Sequence, residues 1–210
     1  MKNKLVIVNF KNYRESSGKN AAKLAKKLDE KNVWIIVNPV DLKDAVKSVK
    51  KSKVLASHAD PVEYGRYTGL VTFPEIKNSG AYGVLLNHSE RKIPLNKIKE
   101  GIKLAGKYKL KIIVSSSSLN EAYRISKLNP DYTAIEPPEL ISGRLSISKA
   151  RPELIKNAAK KIKNLIVGAG VHTRNDVVAA YKYGAKGILI SSAIVKAKNP
   201  KNKLREINGN

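Results

Sequence analysis

Eight short apolar runs, rich in β-branched residues, recur along this chain at fairly regular spacing. They occupy residues 4–9, 33–38, 53–57, 83–87, 111–115, 132–136, 165–168 and 187–191. The runs are continuous, as in Leu5-Val6-Ile7-Val8 and Val33-Trp34-Ile35-Ile36-Val37. A strand with one wet face alternates apolar with polar, whereas a strand covered on both faces does not. Between most runs lie stretches with helical period. Ala21, Leu24, Ala25 and Leu28 share one face, with Lys23, Lys26 and Lys27 opposite. Ile98, Ile102 and Ala105 follow the same period, as do Val177, Ala180 and Tyr181. Doubly buried strands alternating with amphipathic helices define an α/β chain with a parallel sheet. Eight such strands predict a closed (β/α)₈ barrel, with a doubly wound open sheet as the alternative.

At 210 residues the chain is short for that barrel, so some element must be trimmed. The trimming falls after the third strand. Residues 61–79 leave little room for a full helix, and Tyr64-Gly65-Arg66-Tyr67-Thr68-Gly69 reads as loop. The expectation is a compact barrel with a reduced helix there. No linker, repeat or low-complexity tract divides the chain, so residues 1–210 read as one catalytic domain. The last stretch, 199–210, has room for one short helix.

Composition narrows the setting. No apolar run reaches membrane-spanning length. The basic start and the apolar run after it are interrupted at once by Asn9 and Lys11, unlike a signal peptide. Cysteine is absent, which removes disulfides and thiolate metal sites. A soluble cytoplasmic protein without a membrane partner is expected. The charge is the outlier: 41 Lys and Arg against 17 Asp and Glu give +24. Such a field attracts polyanions, so nonspecific nucleic-acid binding at low salt is expected. A dedicated nucleic-acid role is not, because the lysines are spread along the whole chain and no reading motif accompanies them.

Four pieces at the ends of predicted strands carry the chemistry, and in a (β/α)₈ barrel the site lies at the C-terminal ends of the strands. Asn9 and Lys11 end the first strand; extended chain would point both side chains to the same side. Lys11 offers a fixed positive charge. His88 follows Val84-Leu85-Leu86-Asn87 and is expected at the start of a short helical turn, where the positive end of the turn keeps the imidazole neutral and able to donate. Glu136 closes the run Tyr132-Thr133-Ala134-Ile135, and a carboxylate there is costly unless used or paired. Pro137-Pro138 stiffens the exit, and residues 142–146 then have the composition of a lid. Gly168-Ala169-Gly170 ends the seventh strand and Ser191-Ser192-Ala193 the eighth, where barrels hold phosphate on backbone N–H groups. Each piece has a bland reading by itself: a solvated lysine, a capping histidine, a structural ion pair, a common glycine turn.

Taken in order, the pieces resemble the triosephosphate isomerase family in its short archaeal form. The resemblance rests on Asn9-Phe10-Lys11, Asn87-His88-Ser89-Glu90-Arg91, Asn129-Pro130-Asp131-Tyr132, Glu136-Pro137-Pro138-Glu139-Leu140-Ile141, Ser148-Lys149-Ala150, Gly168-Ala169-Gly170-Val171 and Val195-Lys196-Ala197-Lys198-Asn199-Pro200. It covers nearly the whole chain. The resemblance implies the TIM-barrel fold. It implies interconversion of dihydroxyacetone phosphate and D-glyceraldehyde 3-phosphate through an enediolate, in glycolysis and gluconeogenesis, without cofactor or metal. It implies Glu136 as base, neutral His88 as electrophile, Lys11 and Asn9 as substrate-holding residues and Glu90 as a supporting carboxylate. It also implies phosphate held by backbone around Ile141, Ser142, Gly170, Ser191 and Ser192. Dimers or tetramers are expected, with the Tyr64-to-Gly69 loop packing on a neighbouring subunit. The chain departs from the family pattern near the phosphate. Ile141-Ser142-Gly143-Arg144 stands where Ile-Gly-Thr-Gly is usual, His172 where a serine is usual, and Ser191-Ser192-Ala193 where Ala-Ser-Gly is usual. Arg144 and His172 are candidate extra donors to the phosphate. Two alternatives stand beside this reading: a barrel isomerase acting on another small sugar phosphate, and a basic RNA- or polyanion-binding barrel with a remnant site.

Overall fold

The eight runs form eight parallel strands in a computed structural model that describes residues 4–141, 143 and 145–209. They are β1 (Leu5–Asn9), β2 (Val33–Val37), β3 (Lys53–Ala56), β4 (Gly83–Leu86), β5 (Lys111–Ser116), β6 (Tyr132–Ile135), β7 (Leu165–Val167) and β8 (Gly187–Ile190). They pair in chain order, and β8 returns to β1 with Val6 opposite Ile188, so the sheet is a closed barrel. The helices are α1 (Lys19–Lys27), α2 (Leu42–Ser48), α3 (Phe73–Asn78), α4 (Leu95–Lys107), α5 (Leu119–Ser126), α6 (Ile147–Ala150), α7 (Pro152–Lys161), α8 (Arg174–Lys182), α9 (Ser192–Val195) and α10 (Pro200–Asn208). Among the described residues, no helix is long and apolar enough to cross a membrane.

Closure explains why the runs are continuously apolar. Ile7, Ile36, Leu55, Leu85, Ile113, Ala134, Ile166 and Leu189 pack together inside the barrel, one from each strand. The residues between them, such as Val6, Val8, Ile35, Val84 and Val167, face outward and pack under the helices. Trp34 joins the interior cluster and meets Tyr82 and Tyr132 edge-on at 5.1 and 5.3 Å. The predicted face of α1 is buried as a unit: Ala21, Leu24 and Ala25, with Leu28 just beyond.

The reduced element after β3 is α3, six residues long. Thr72 caps it reciprocally with Glu75, which gives so short a helix a fixed start. The preceding loop is pinched at its base. Asp60 N–H donates to Val71 O, and Val71 N–H donates to Asp60 Oδ2. Beyond that pinch Tyr64 and Tyr67 stand 64% and 47% exposed. The last helix, α10, runs nine residues and ends at Gly209 in the left-handed conformation.

Candidate active site

Strand period alone brings most of the site together. Two residues past each interior side chain, the next inward position is reached at the C-terminal mouth of the barrel. From Ile7 that residue is Asn9, from Ile113 it is Ser115 and from Ala134 it is Glu136. From Ile166 it is Gly168, and from Leu189 it is Ser191. The polar ends of these runs therefore converge on one spot above an apolar plug.

Lys11 reaches the spot by a different local route from the extended one read in the sequence. The strand ends at Asn9, and Lys11 has φ +48° in a turn. Its N–H donates to Asn9 Oδ1 at 3.0 Å, which holds the two residues together where extended backbone would have done so. The ammonium lies 2.5 Å from Glu90 Oε1, with the lysine side chain mostly covered and the glutamate half exposed. Ser191 Oγ donates to Asn9 O at 2.7 Å and closes the seam between β8 and β1.

His88 is presented by Asn87, which breaks the strand alternation at φ +59°. Asparagine tolerates that conformation better than most residues. Its side chain is fully used: Nδ2 donates to Ser115 O and Glu121 Oε1, and Oδ1 accepts from Ile93 N–H. Glu121 is itself tied to Lys92 and to Ser117 N–H. The chain leaves His88 in a single turn, closed by Arg91 N–H to His88 O at 2.8 Å, where the sequence suggested the start of a short helical turn. The tautomer is set by a single contact instead. Glu90 N–H donates to His88 Nδ1 at 3.2 Å, so Nδ1 accepts and the proton sits on Nε2. That Nε2 faces Glu136 Oε2 at 3.8 Å.

Glu136 is 7% exposed. Burial pushes its carboxyl above the ordinary range, and His88, the Ser115 hydroxyl and Lys11 pull back without cancelling the rise. Ser115 Oγ donates to Oε1 at 3.0 Å. Gly168 makes room for the carboxylate. A Cβ there would sit 2.7 Å from both Cγ and Oε2 of Glu136. The glycine predicted to hold phosphate thus first leaves space for the Glu136 side chain.

Beside the base lies a cavity lined by Asn9, Lys11, Glu136, Ile141, Ala169, Gly170, Val171, His172, Ser191, Ser192 and Ala193. Seven expected residues meet there: Asn9, Lys11, Glu136, Ile141, Gly170, Ser191 and Ser192. Ser142 and Arg144 lie outside the described residues. Gly170 has φ +64°, and a Cβ there would fall 2.2 Å from Leu145 O, so the far end of the lid segment rests on it. Ala169 also has positive φ, at +79°. His88 and Glu90 line an adjoining groove of about 600 Å³, which shares Asn9 and Lys11 with the cavity. Asn9 and Lys11 therefore stand at the junction of the two. No group of three or more metal-ligating side chains occurs among the described residues.

A buried carboxylate, an Nε2–H donor, an ammonium and a glycine-lined cavity now stand within one barrel mouth. A family model described as "Triosephosphate isomerase" matches residues 4–207. The chain belongs to the triosephosphate isomerase family. It is 40% identical to the triosephosphate isomerase of Saccharolobus solfataricus, over 95% of this chain and 92% of that protein. It is 37% identical to that of Methanocaldococcus jannaschii, over 97% and 98%. It is 36% identical to that of Methanothermus fervidus, over 97% and 96%. The short length and the reduced α3 thus belong to a chain whose relatives are matched almost end to end.

Three contributors escaped the sequence reading. Ser115 was visible only as the start of a serine run after an apolar strand. Glu121 gave no signal beyond its place in the first turn of α5. Asp176 was legible as the last member of Thr173-Arg174-Asn175-Asp176, a capping box at the start of α8. Burial pushes the Asp176 carboxyl up, but hydrogen bonds from Ser146 Oγ, His172 N–H and Thr173 outweigh it and bring the group down to about 2.

Proposed function

We propose that this chain interconverts dihydroxyacetone phosphate and D-glyceraldehyde 3-phosphate, with Glu136 as the base. The observation that carries the assignment is the buried Glu136 carboxylate beside the Nε2–H of His88, with Lys11 at the same mouth. Glu136 takes the proton from the carbon next to the carbonyl. The electron pair moves onto the carbonyl oxygen and gives an enediolate. His88 Nε2–H gives its proton to the former carbonyl oxygen and takes up the proton of the neighbouring hydroxyl, so the new carbonyl can form there, and the Lys11 ammonium offsets the negative charge. Asn9 shares the mouth and helps polarise the carbonyl. Glu136, now a carboxylic acid, returns its proton to the neighbouring carbon, so nothing enters or leaves the substrate. Burial helps because a carboxylate with raised pKa is the stronger base.

Glu90 acts through its neighbours. Its Oε1 holds Lys11, and its N–H fixes the His88 tautomer. The phosphate takes its donors from backbone around Ile141, Gly170, Ser191 and Ser192, with Ser142 next in the chain. A lid over that cavity excludes water, which strengthens every charge interaction inside. A coupled assay with glyceraldehyde 3-phosphate, run beside Glu136→Gln, tests the assignment. Turnover that is lost in a folded variant is expected; no turnover in the folded wild-type chain overturns it.

The chain acts as a single catalytic domain in the cytoplasm and assembles with copies of itself as a dimer or tetramer. The exposed Tyr64 and Tyr67 on the pinched loop, and the groove beside Lys11 and His88, support the assembly. Sedimentation of wild type against a Tyr64→Ser/Tyr67→Ser variant tests it; equal mass for both removes that loop from the interface. The +24 charge favours weak nucleic-acid binding that fades as salt rises.

A further inference from the structure

His88 sits in a loop whose two ends are tied. Asn87 Oδ1 accepts from Ile93 N–H at 3.1 Å, which closes residues 87–93 at their base. Glu121, in the first turn of α5, holds both ends of that loop. Its Oε1 accepts from Asn87 Nδ2 at 2.9 Å where the loop begins and from the Lys92 ammonium where it ends. Its Oε2 accepts from Ser117 N–H at 2.7 Å, which anchors the carboxylate to the chain just past β5. The start of a helix favours an anion at this position. Burial alone would raise the Glu121 carboxyl, but hydrogen bonds from Lys92, Ser117 N–H and Asn87 outweigh it and hold the group below its ordinary range. The same network leads to Glu136. Asn87 Nδ2 also donates to Ser115 O at 2.8 Å, and Ser115 Oγ donates to Glu136 Oε1 at 3.0 Å. Ser115 thus meets the His88 loop through its carbonyl and Glu136 through its hydroxyl.

We propose that Glu121 is a positioning residue that sets His88 against Glu136, by clamping both ends of the loop from Asn87 to Ile93 and tying its start to Ser115. The proposal rests on the reading of Glu136 as base and His88 as proton donor. Glu121 acts through Asn87 and Lys92 and not on the substrate. Asn87 needs such partners, because its φ of +59° persists only where the surroundings fix it. Without the clamp the loop relaxes, and the Glu90 N–H that fixes the His88 tautomer from within the same loop moves with it.

The test uses the full chain and Glu121→Ala, with glyceraldehyde 3-phosphate as substrate. kcat should fall about ten- to a hundredfold, the penalty of a displaced reacting group. KM should stay within about twofold of wild type, since the lost alignment matters in the transition state. In a His88→Gln background the same substitution should cost less than about threefold, because no imidazole is left to position. Nitrogen NMR of the imidazole gives a readout that does not depend on turnover. His88 should show one Nε2–H tautomer in wild type and a mixture in Glu121→Ala. Glu121→Gln keeps one acceptor oxygen and should fall between the two; it carries the same readouts if the alanine variant does not fold. An unchanged kcat, an equal loss in the two backgrounds, or a His88 spectrum identical to wild type overturns the proposal. Absence of turnover in the folded wild-type chain would instead remove the reading of the site, and the His88 spectrum would still decide whether Glu121 holds the ring.

Discussion

His88 Nε2 lies 3.8 Å from Glu136 Oε2, across the barrel mouth from the end of β4 to the end of β6. That is too long for a hydrogen bond. The donor therefore does not tie up the carboxylate, and among the described residues Ser115 alone anchors its other oxygen. Withdrawing the carboxylate by one methylene should cost rate more than binding. We expect Glu136→Asp to lower kcat by about a hundredfold, the penalty of a displacement near 1 Å, with KM changed much less. Steady-state kinetics in both directions check this. A KM effect as large as the kcat effect would mean that Glu136 binds substrate and does not act as the base.

Gly168→Ala tests the seat of the base without touching it. The added methyl would meet Cγ and Oε2 of Glu136 at 2.7 Å, and Gly168 is not among the positive-φ residues. The cost should fall on geometry and not on the backbone. Expected are a fall in kcat of about ten- to a hundredfold and a melting temperature within a few degrees of wild type. Gly170→Ala makes the contrast, because its φ of +64° and the Leu145 carbonyl at 2.2 Å add strain as well. It should lose about 1–3 kcal/mol of stability by denaturant unfolding, where Gly168→Ala does not.

Most of the barrel was legible because its signal is redundant. Every strand is covered on both faces, so each run announced itself, and only the ends moved by a residue. Asn87, Glu136, Gly168 and Ser191 were read as strand ends and lie just past them. The site was legible as a set of residue types but less so as geometry. Lys11 was read as extended and adopts a turn, because Asn9 Oδ1 captures its N–H. His88 was read as starting a helical turn, yet one N–H from Glu90 sets its tautomer. Such contacts depend on side-chain direction, which spacing does not encode. Ser115 and Asp176 were missed for a related reason: serine and aspartate are so common in turns and caps that only their partners reveal their use.

Lys11 should matter more for charge than for position. Lys11→Met keeps the length of the side chain and removes the ammonium. We expect kcat/KM to fall about a hundred- to a thousandfold, as when an oxyanion donor is deleted. Glu90→Gln should fall far less, because its backbone N–H still serves His88 and only the grip on Lys11 loosens. If Glu90→Gln were as damaging as Lys11→Met, the carboxylate itself would have to act in the reaction.

The raised pKa of Glu136 also predicts a stability cost with a definite pH dependence. Burial is the leading cause, so the ionised form is disfavoured in the folded chain relative to the ordinary value of 4.5. Between 4.5 and the folded-state value the folded chain binds more protons than the unfolded one. Stability therefore falls as pH rises through that window. Glu136→Gln keeps an oxygen for the Ser115 hydroxyl and removes the charge. The variant should melt a few degrees above wild type at neutral pH, and the gap should close as pH falls toward about 4. Asp176 works in the opposite sense. Its stabilisation is complete above 3.8 and lost only as pH falls to about 2, so it stays outside the window and is common to both chains. Denaturant unfolding of the pair across that range checks the prediction. A gap that does not change with pH would mean the buried carboxylate carries no ionisation cost, and that the seat formed by His88, Ser115 and Lys11 offsets burial in full.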